Sequence, residues 1–369
     1  MTGNGDRFAA VRVPSGIPPL RVDLVRGLQR IDYSAHPAYA GLSGRPAFLQ
    51  RMSATAHFLR SIVTLSGKRL INYELIPNEI RKGRKSFLGT LRFARAGLHN
   101  VFVRPRRRRR VRSAIGIELD RCGIAGVIAA PAALRPLELA AEQSFARLSR
   151  ARAAANGSKR QFEDSRYHAD RREHGELFGA AQALLEEAGI IQAASEYLGR
   201  QARVIDVNPQ INDSSDTFWR DIFPDQLSGD HLPKTAYFHR DASGGDLKAI
   251  IYMVPVTEQN GPFGYVIGSH RLPMSALDNF ICEANDHNGL SDTSPEARRI
   301  FAALPRGFRQ KGAFGNDLLD ESDASLEILR AAWSATGPKG AILLFDTKGI
   351  HRGGMVTSGE RHVITCVIG

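Results

Sequence analysis

From residue 246 to the C-terminus the apolar positions come in short runs punctuated by glycine. LKAIIYMVPV (247–256) is a nearly unbroken apolar run of strand length, TEQNGP (257–262) is a turn, and FGYVIGSH (263–270) is a second strand running into glycine. A polar, partly helical stretch from about 274 to 335 follows, then GAILLFDTKGIH (340–351), a Gly-Gly turn, and ERHVITCVIG to the end. Paired short strands around one long excursion predict an antiparallel double-sheet barrel, the double-stranded β-helix or jelly roll.

Upstream the period changes. Residues 137–154 and 173–200 are rich in Ala, Glu and Leu and read as helices, while IGIELDRCGIAGVIA (115–129) reads as a helix end, a glycine and a strand. ARVIDVNPQIND (202–213) is β-like and interrupted at Pro209. In the first third, Phe87, Leu91, Leu98 and Phe102 fall on one helical face within the basic stretch 81–103, and Pro105 ends that helix. The expected class is mainly β with flanking helices, preceded by a basic, partly helical N-terminal region.

Charge sharpens that division. The chain has 369 residues and a formal charge of +12; residues 1–113 hold 23 Lys and Arg against 5 Asp and Glu (+18), leaving 27 against 33 (−6) for the remainder. The step predicts a boundary near 113, with residues 1–113 a basic region and 114–369 the barrel domain, its 274–335 insertion helical and capping the pocket. Contents of 43% hydrophobic and 24% charged residues are those of an ordinary soluble protein. The N-terminus lacks the apolar core of a signal peptide, and the longest apolar run, GIAGVIAAPAAL (123–134), is too short to span a bilayer. Cys122, Cys282 and Cys366 are odd in number, with no CxxC, which argues against a disulfide framework or structural zinc and suits the cytoplasm.

Candidate chemistry begins with AYFHRDASGGDLKAIIYMVPV (236–256), where His239 and Asp241 are separated by one residue. His-x-Asp also arises by chance, and His168 and Asp170 supply a second copy. Residues i and i+2 share a face on a strand but point about 200° apart on a helix. His239-Asp241, at a strand end, can therefore close on one ion. His168-Asp170, entering a helix, belongs to a solvated surface. His351 ends another strand before Gly353-Gly354 and is the best third ligand. Two histidines and one carboxylate form the facial triad of non-haem Fe(II) oxygenases, with open positions for co-substrate and O2. Arg361 lies across the Gly-Gly turn, where a hairpin brings its guanidinium beside the pocket to grip a carboxylate such as that of 2-oxoglutarate.

With these residues in place, the last 255 or so positions of the 369 resemble the phytanoyl-CoA dioxygenase family of Fe(II)- and 2-oxoglutarate-dependent oxygenases, through LDRCGIAGV, FHRD, KAIIYMVPVTEQNGPFGYVIGSHR and GAILLFDTKGIHRGGMVTSGERHVI. The resemblance implies a jelly-roll fold, iron ligands at His239, Asp241 and His351, and Arg361 on 2-oxoglutarate. It does not reach residues 1–113. Many relatives place Ser or Thr two residues after the distal histidine to assist the arginine. Gly353 stands there, and Thr257 and Lys248 are the possible replacements. Lys248 is equally open to a salt bridge near the pocket mouth. Relatives also hold the other end of 2-oxoglutarate with an amide on an earlier strand, for which Asn208, Gln210 and Asn212 are candidates. The retained Asp241 resembles hydroxylases rather than halogenases. Val367 stands where nucleobase-repair relatives carry a second arginine.

The expected activity is hydroxylation of an unactivated C–H of a small-molecule or lipid-like substrate, with 2-oxoglutarate consumed to succinate and CO2. Arg298, Arg299, Arg306 and Arg309 in the insertion suit an anionic or lipid-linked substrate. The arginine run 106–110 behind the amphipathic stretch suggests peripheral membrane contact through residues 81–112, beside the default reading of a solvated connector. Sparse aromatic interleaving argues against nucleic acid. The rivals are a non-catalytic binding module with a degenerate barrel, and a cupin-like metalloenzyme that ignores 2-oxoglutarate.

Overall fold

A computed structural model describes residues 7–17, 20, 47–71, 76, 80, 83–102, 111–154, 166–214, 234–235, 238–241, 246–271, 300, 302–305, 308 and 319–369. Among the described residues nine strands form two antiparallel sheets: β1 (Phe8–Ala10), β2 (Ile124–Ala129), β3 (Val204–Asp213), β4 (Leu247–Tyr252), β5 (Phe263–Val266), β6 (Ala332–Ala335), β7 (Ala341–Asp346), β8 (His351–Arg352) and β9 (Glu360–Ile368). The large sheet runs β1-β2-β7-β4-β9-β3 and the small one β6-β5-β8. This is the jelly roll that the run-and-turn pattern predicts.

β7 is buried along its whole length because both faces of the large sheet are covered. Ile342 and Leu344 point outward into a layer built by α3 (Ala114–Cys122), α4 (Pro131–Ala154), α5 (Gly175–Glu187) and α6 (Ile190–Leu198), meeting Leu134, Leu137, Leu185 and Ile190. Ala341, Leu343 and Phe345 point inward against Phe263 and Tyr265 of the small sheet. Strand alternation thus sorts one apolar run into two cores, each fully buried Leu or Ile worth on the order of 2 kcal/mol. α3 starts where Ser113 accepts a bond from the Gly116 N–H, and Glu196 of α6 accepts from the backbone N–H of Arg112 and Ser113. Those two bonds to Glu196, and a third from the Ser113 hydroxyl, tie the opening of the barrel domain to the helical layer and hold the Glu196 carboxyl down at about 2.

Three expectations are corrected. Pro209 does not interrupt β3: its carbonyl accepts from the Tyr167 N–H on the open edge of the sheet, so its nitrogen faces that edge too and no ladder bond to β9 is lost. The stretch 274–335 is not all insertion, because Ala332–Ala335 is β6 of the small sheet; within it α7 (Asp323–Ala331) is helical, while residues 272–299 and Arg298, Arg299, Arg306 and Arg309 lie outside the described residues. The charge step at 113 does not mark where the barrel's strands begin, since β1 pairs with β2 and Val13 enters the inner core. In the basic region α1 (Phe48–Leu70) seats Ala54, Phe58 and Leu65 on Ala303 and Leu304, and α2 (Phe87–Phe102) follows. The arginine run 106–110, Cys282 and Gly244-Gly245 also lie outside the described residues.

Candidate metal centre

His239 and His351 face each other across a two-bond antiparallel bridge, each backbone N–H donating to the other's carbonyl at 2.9 Å. A directly opposed pair projects both side chains to one face, and the rings stand 4.5 Å apart between centroids. Asp241 lies two residues on, on the same face, held by its backbone N–H to the Thr347 carbonyl at 3.0 Å. Asp241 Oδ1 is 3.6 Å from His239 Nε2 and 3.8 Å from His351 Nε2, and donor atoms of all three residues fall within 4.8 Å of one another. Donors at right angles on an ion about 2.1 Å away stand about 3 Å apart, so the cluster needs to contract by about 2 Å at most.

The tautomer of the distal histidine is fixed by its own backbone. His351 Nδ1 lies 2.8 Å from the Gly349 carbonyl and must donate to it, which leaves the Nε2 lone pair aimed at the other two ligands. The ring is wedged among Phe345, Phe263 and Tyr265. Burial first, and the nearness of His239 second, push His351 down to about 3, so it is neutral and ready to ligate at physiological pH. Gly349 must be glycine, since a Cβ there would lie 1.8 Å from the Tyr265 hydroxyl. Gly354 is similarly constrained, its Cβ falling 2.0 Å from the Pro262 carbonyl. Burial alone would raise the Asp241 carboxyl, but its contact with His239 and the surrounding positive charge hold it well below the usual carboxylate range. The His239 contact is the largest of the lowering causes, and Lys248, whose Nζ stands 2.6 Å from Oδ2, adds to it.

Of the two roles open to it, co-substrate contact or a salt bridge near the mouth, Lys248 takes the salt bridge, to Asp241. It occupies Oδ2 while Oδ1 faces both histidines, which presents the carboxylate as a one-oxygen ligand. Outer partners of this kind are worth roughly 10–100-fold in metal affinity. Lys248→Met is therefore expected to weaken Fe(II) binding about tenfold, with Lys248→Arg staying within a few-fold, as read by anaerobic titration. Tighter binding in Lys248→Met would mean that the lysine competes with the metal rather than aiming its ligand.

The inner face of the large sheet carries the remaining candidates. β3 and β9 pair Asn208 with Thr365, Gln210 with Val363 and Asn212 with Arg361, so all three amides share the face of the arginine. Arg361, 6% exposed, donates through Nη1 to the carbonyls of Gly261 and Gly354 and through Nη2 to Asn212 Oδ1 at 3.1 Å. Its Nε and the Oδ1 of fully buried Asn208 have no partner among the described residues. A buried donor and a buried acceptor left unsatisfied on one barrel face cost about 1–3 kcal/mol each, and such sites await a polar ligand. Gln210 Nε2 donates to Thr365 Oγ1 at 3.1 Å. Thr257, the other possible helper of the arginine, is exposed on a turn with its hydroxyl bonded to Asn260. No motif marks Arg166, which bridges Gln210 by its backbone and is lowered in pKa by burial against the pull of Asp206 and Asp241. His168, at 61% side-chain exposure, stays on the surface.

The donor set fits a divalent iron, and the orphaned Arg361 Nε–H fits a carboxylate acceptor beside it. Residues 124–363 match the family described as Phytanoyl-CoA dioxygenase (PhyH). No curated protein matches the chain by sequence. Among solved structures it is similar to AviO1 from Streptomyces viridochromogenes Tue57 (15% identity over 69% of this chain and 93% of that one, TM-score 0.38) and to EctD from S. alaskensis with bound Fe (13%, 72% and 82%, 0.40). A third is the non-heme alpha ketoglutarate dependent carbocyclase SnoK from nogalamycin biosynthesis (14%, 70% and 84%, 0.40).

Proposed function

The chain belongs to the phytanoyl-CoA dioxygenase family, and from that premise we propose that its barrel hydroxylates an unactivated C–H of a small-molecule or lipid-like substrate. It is a 2-oxoglutarate-dependent dioxygenase, with Fe(II) as its metal. Iron and 2-oxoglutarate, when bound, supply the oxygen activation, and the co-substrate leaves as succinate and CO2.

In this reading His239, Asp241 and His351 hold the metal on one side and leave the opposite side to co-substrate and O2. Lys248 occupies Oδ2 of Asp241, and the Gly349 carbonyl fixes the His351 lone pair. Arg361, braced by Asn212 and two carbonyls, receives the far carboxylate of 2-oxoglutarate through its unused edge. At the other end the donors on offer are the side-chain N–H groups of Asn208, one of which goes to Asp206, and of Gln210, one of which goes to Thr365. The observation that carries the reading is the three-residue donor cluster, with the buried Arg361 Nε left unpartnered among the described residues.

The test needs no substrate. Anaerobic apoprotein titrated with Fe(II) and then 2-oxoglutarate should develop the visible charge-transfer band of the chelate, saturating at one equivalent. A folded protein that gives no band would overturn the assignment of these residues.

A further inference from the structure

α1 has two apolar faces and uses only one. Ala54, Phe58 and Leu65 are buried on the segment around Ala303 and Leu304. On a different side Phe48, Met52, Leu59, Val63 and Leu70 recur at steps of four and seven and remain exposed, Phe48 at 74% and Val63 at 71%. α2 repeats the pattern with Phe87, Leu91 and Leu98, again at steps of four and seven, and with Leu88 beside them. The two helices meet where Ile71, just after α1, packs against Gly97. Single exposed apolar residues are ordinary, but two stripes running the length of two neighbouring helices are not.

The charge around the stripes is of one sign. Neither helix contains an Asp or Glu, whereas α1 carries exposed Arg51 and Arg60 and α2 carries exposed Arg92 and Arg95. At 100° per residue Arg51 and Arg60 lie about 60° to either side of the α1 stripe. The whole region 1–113 has a balance of +18. A surface complementary to this must offer negative charge and an apolar phase together. A nucleic acid offers phosphate but nothing for Phe48 or Leu91 to enter. A second copy would oppose two cation-only helices and repel. No helix among the described residues is long and apolar enough to cross a membrane, so the stripes suit lying on one.

We propose that α1 and α2 dock the protein on an anionic lipid bilayer, the stripes entering the headgroup–acyl boundary and the arginines pairing with lipid phosphates. This deepens the substrate side of the function above without resting on its chemistry, because it places the barrel next to lipid.

Flotation of the full chain with phosphatidylcholine vesicles, with and without phosphatidylglycerol, tests it. The chain should float with the anionic vesicles and not with the neutral ones, and high salt should weaken the binding. Val63→Glu and Leu91→Glu, both at exposed positions, should each lower partition about tenfold or more while circular dichroism is unchanged. Leu326→Glu, exposed on α7, should have no effect. No binding to anionic vesicles, or binding that both stripe variants leave intact, overturns the proposal. So does a concentration-dependent dimer in sedimentation velocity that Val63→Glu dissolves, or tighter binding to duplex DNA than to vesicles.

Discussion

Asp241→Ala is expected to abolish measurable turnover and to weaken Fe(II) binding by more than about a hundredfold, since even outer partners of a metal ligand are worth 10–100-fold. The carboxylate is the only acidic member of the cluster, so its loss removes both a donor atom and the negative charge that offsets the cation. It also strands Lys248, whose ammonium then stands beside the cation site with nothing to neutralise it. The fold should tolerate the change. The lysine side chain is 25% exposed and can turn to water, so the apo melting temperature should move little. Isothermal titration with Fe(II) under nitrogen, alongside a thermal melt, separates the two effects. Wild-type affinity in the variant would remove Asp241 from the metal site; a collapsed melt with intact affinity per folded molecule would make it structural.

Much of that site could be read from one dimension. His-x-Asp on an extended segment is a local statement, and alternation alone puts both side chains on one face. The run of β7 before His351 and the glycines around it were legible for the same reason, being short-range consequences of packing and turn geometry. What failed was non-local. Whether Lys248 points at a ligand or at Asp241 depends on how the segment carrying Asp241 lies across the mouth of the barrel, and nothing in KAIIY states that. Thr257 sits in a strand-to-strand turn whose hydrogen bonds to Asn260 close on themselves. Sequence distance from the barrel strands gave no sign that it was out of reach. Pro209 looked like a break because proline cannot serve a central strand. The missing fact was that β3 is the edge of its sheet. The three amides of β3 were recognisable as a set, yet choosing among them required knowing which cross-strand partner already satisfied each one. Arg166 was invisible because its approach to Asp206 and Asp241 is made by folding alone.

Arg361→Ala carries the other large effect, and it separates a binding role from a bracing role. A guanidinium gripping a carboxylate through two charge-assisted bonds contributes about 1.5–3 kcal/mol per bond, or roughly 10²–10⁴-fold in affinity. Truncation also leaves the carbonyls of Gly261 and Gly354 and the amide of Asn212 without their donor in a buried place, so some loss of stability is expected as well. Affinity for 2-oxoglutarate by itself would therefore not tell the two roles apart. A ratio does. The wild type should prefer 2-oxoglutarate over a 2-oxo monocarboxylate, which has the chelating end but lacks the far carboxylate, by about that same 10²–10⁴. In Arg361→Ala the preference should fall close to one, because a merely loosened pocket weakens both ligands alike whereas a lost carboxylate partner weakens only one. Arg361→Lys keeps the charge but not the fork and should fall between them. Should the variant fold and still prefer 2-oxoglutarate by the wild-type margin, the far carboxylate is held elsewhere on the inner face, and Arg166 becomes the cation to test.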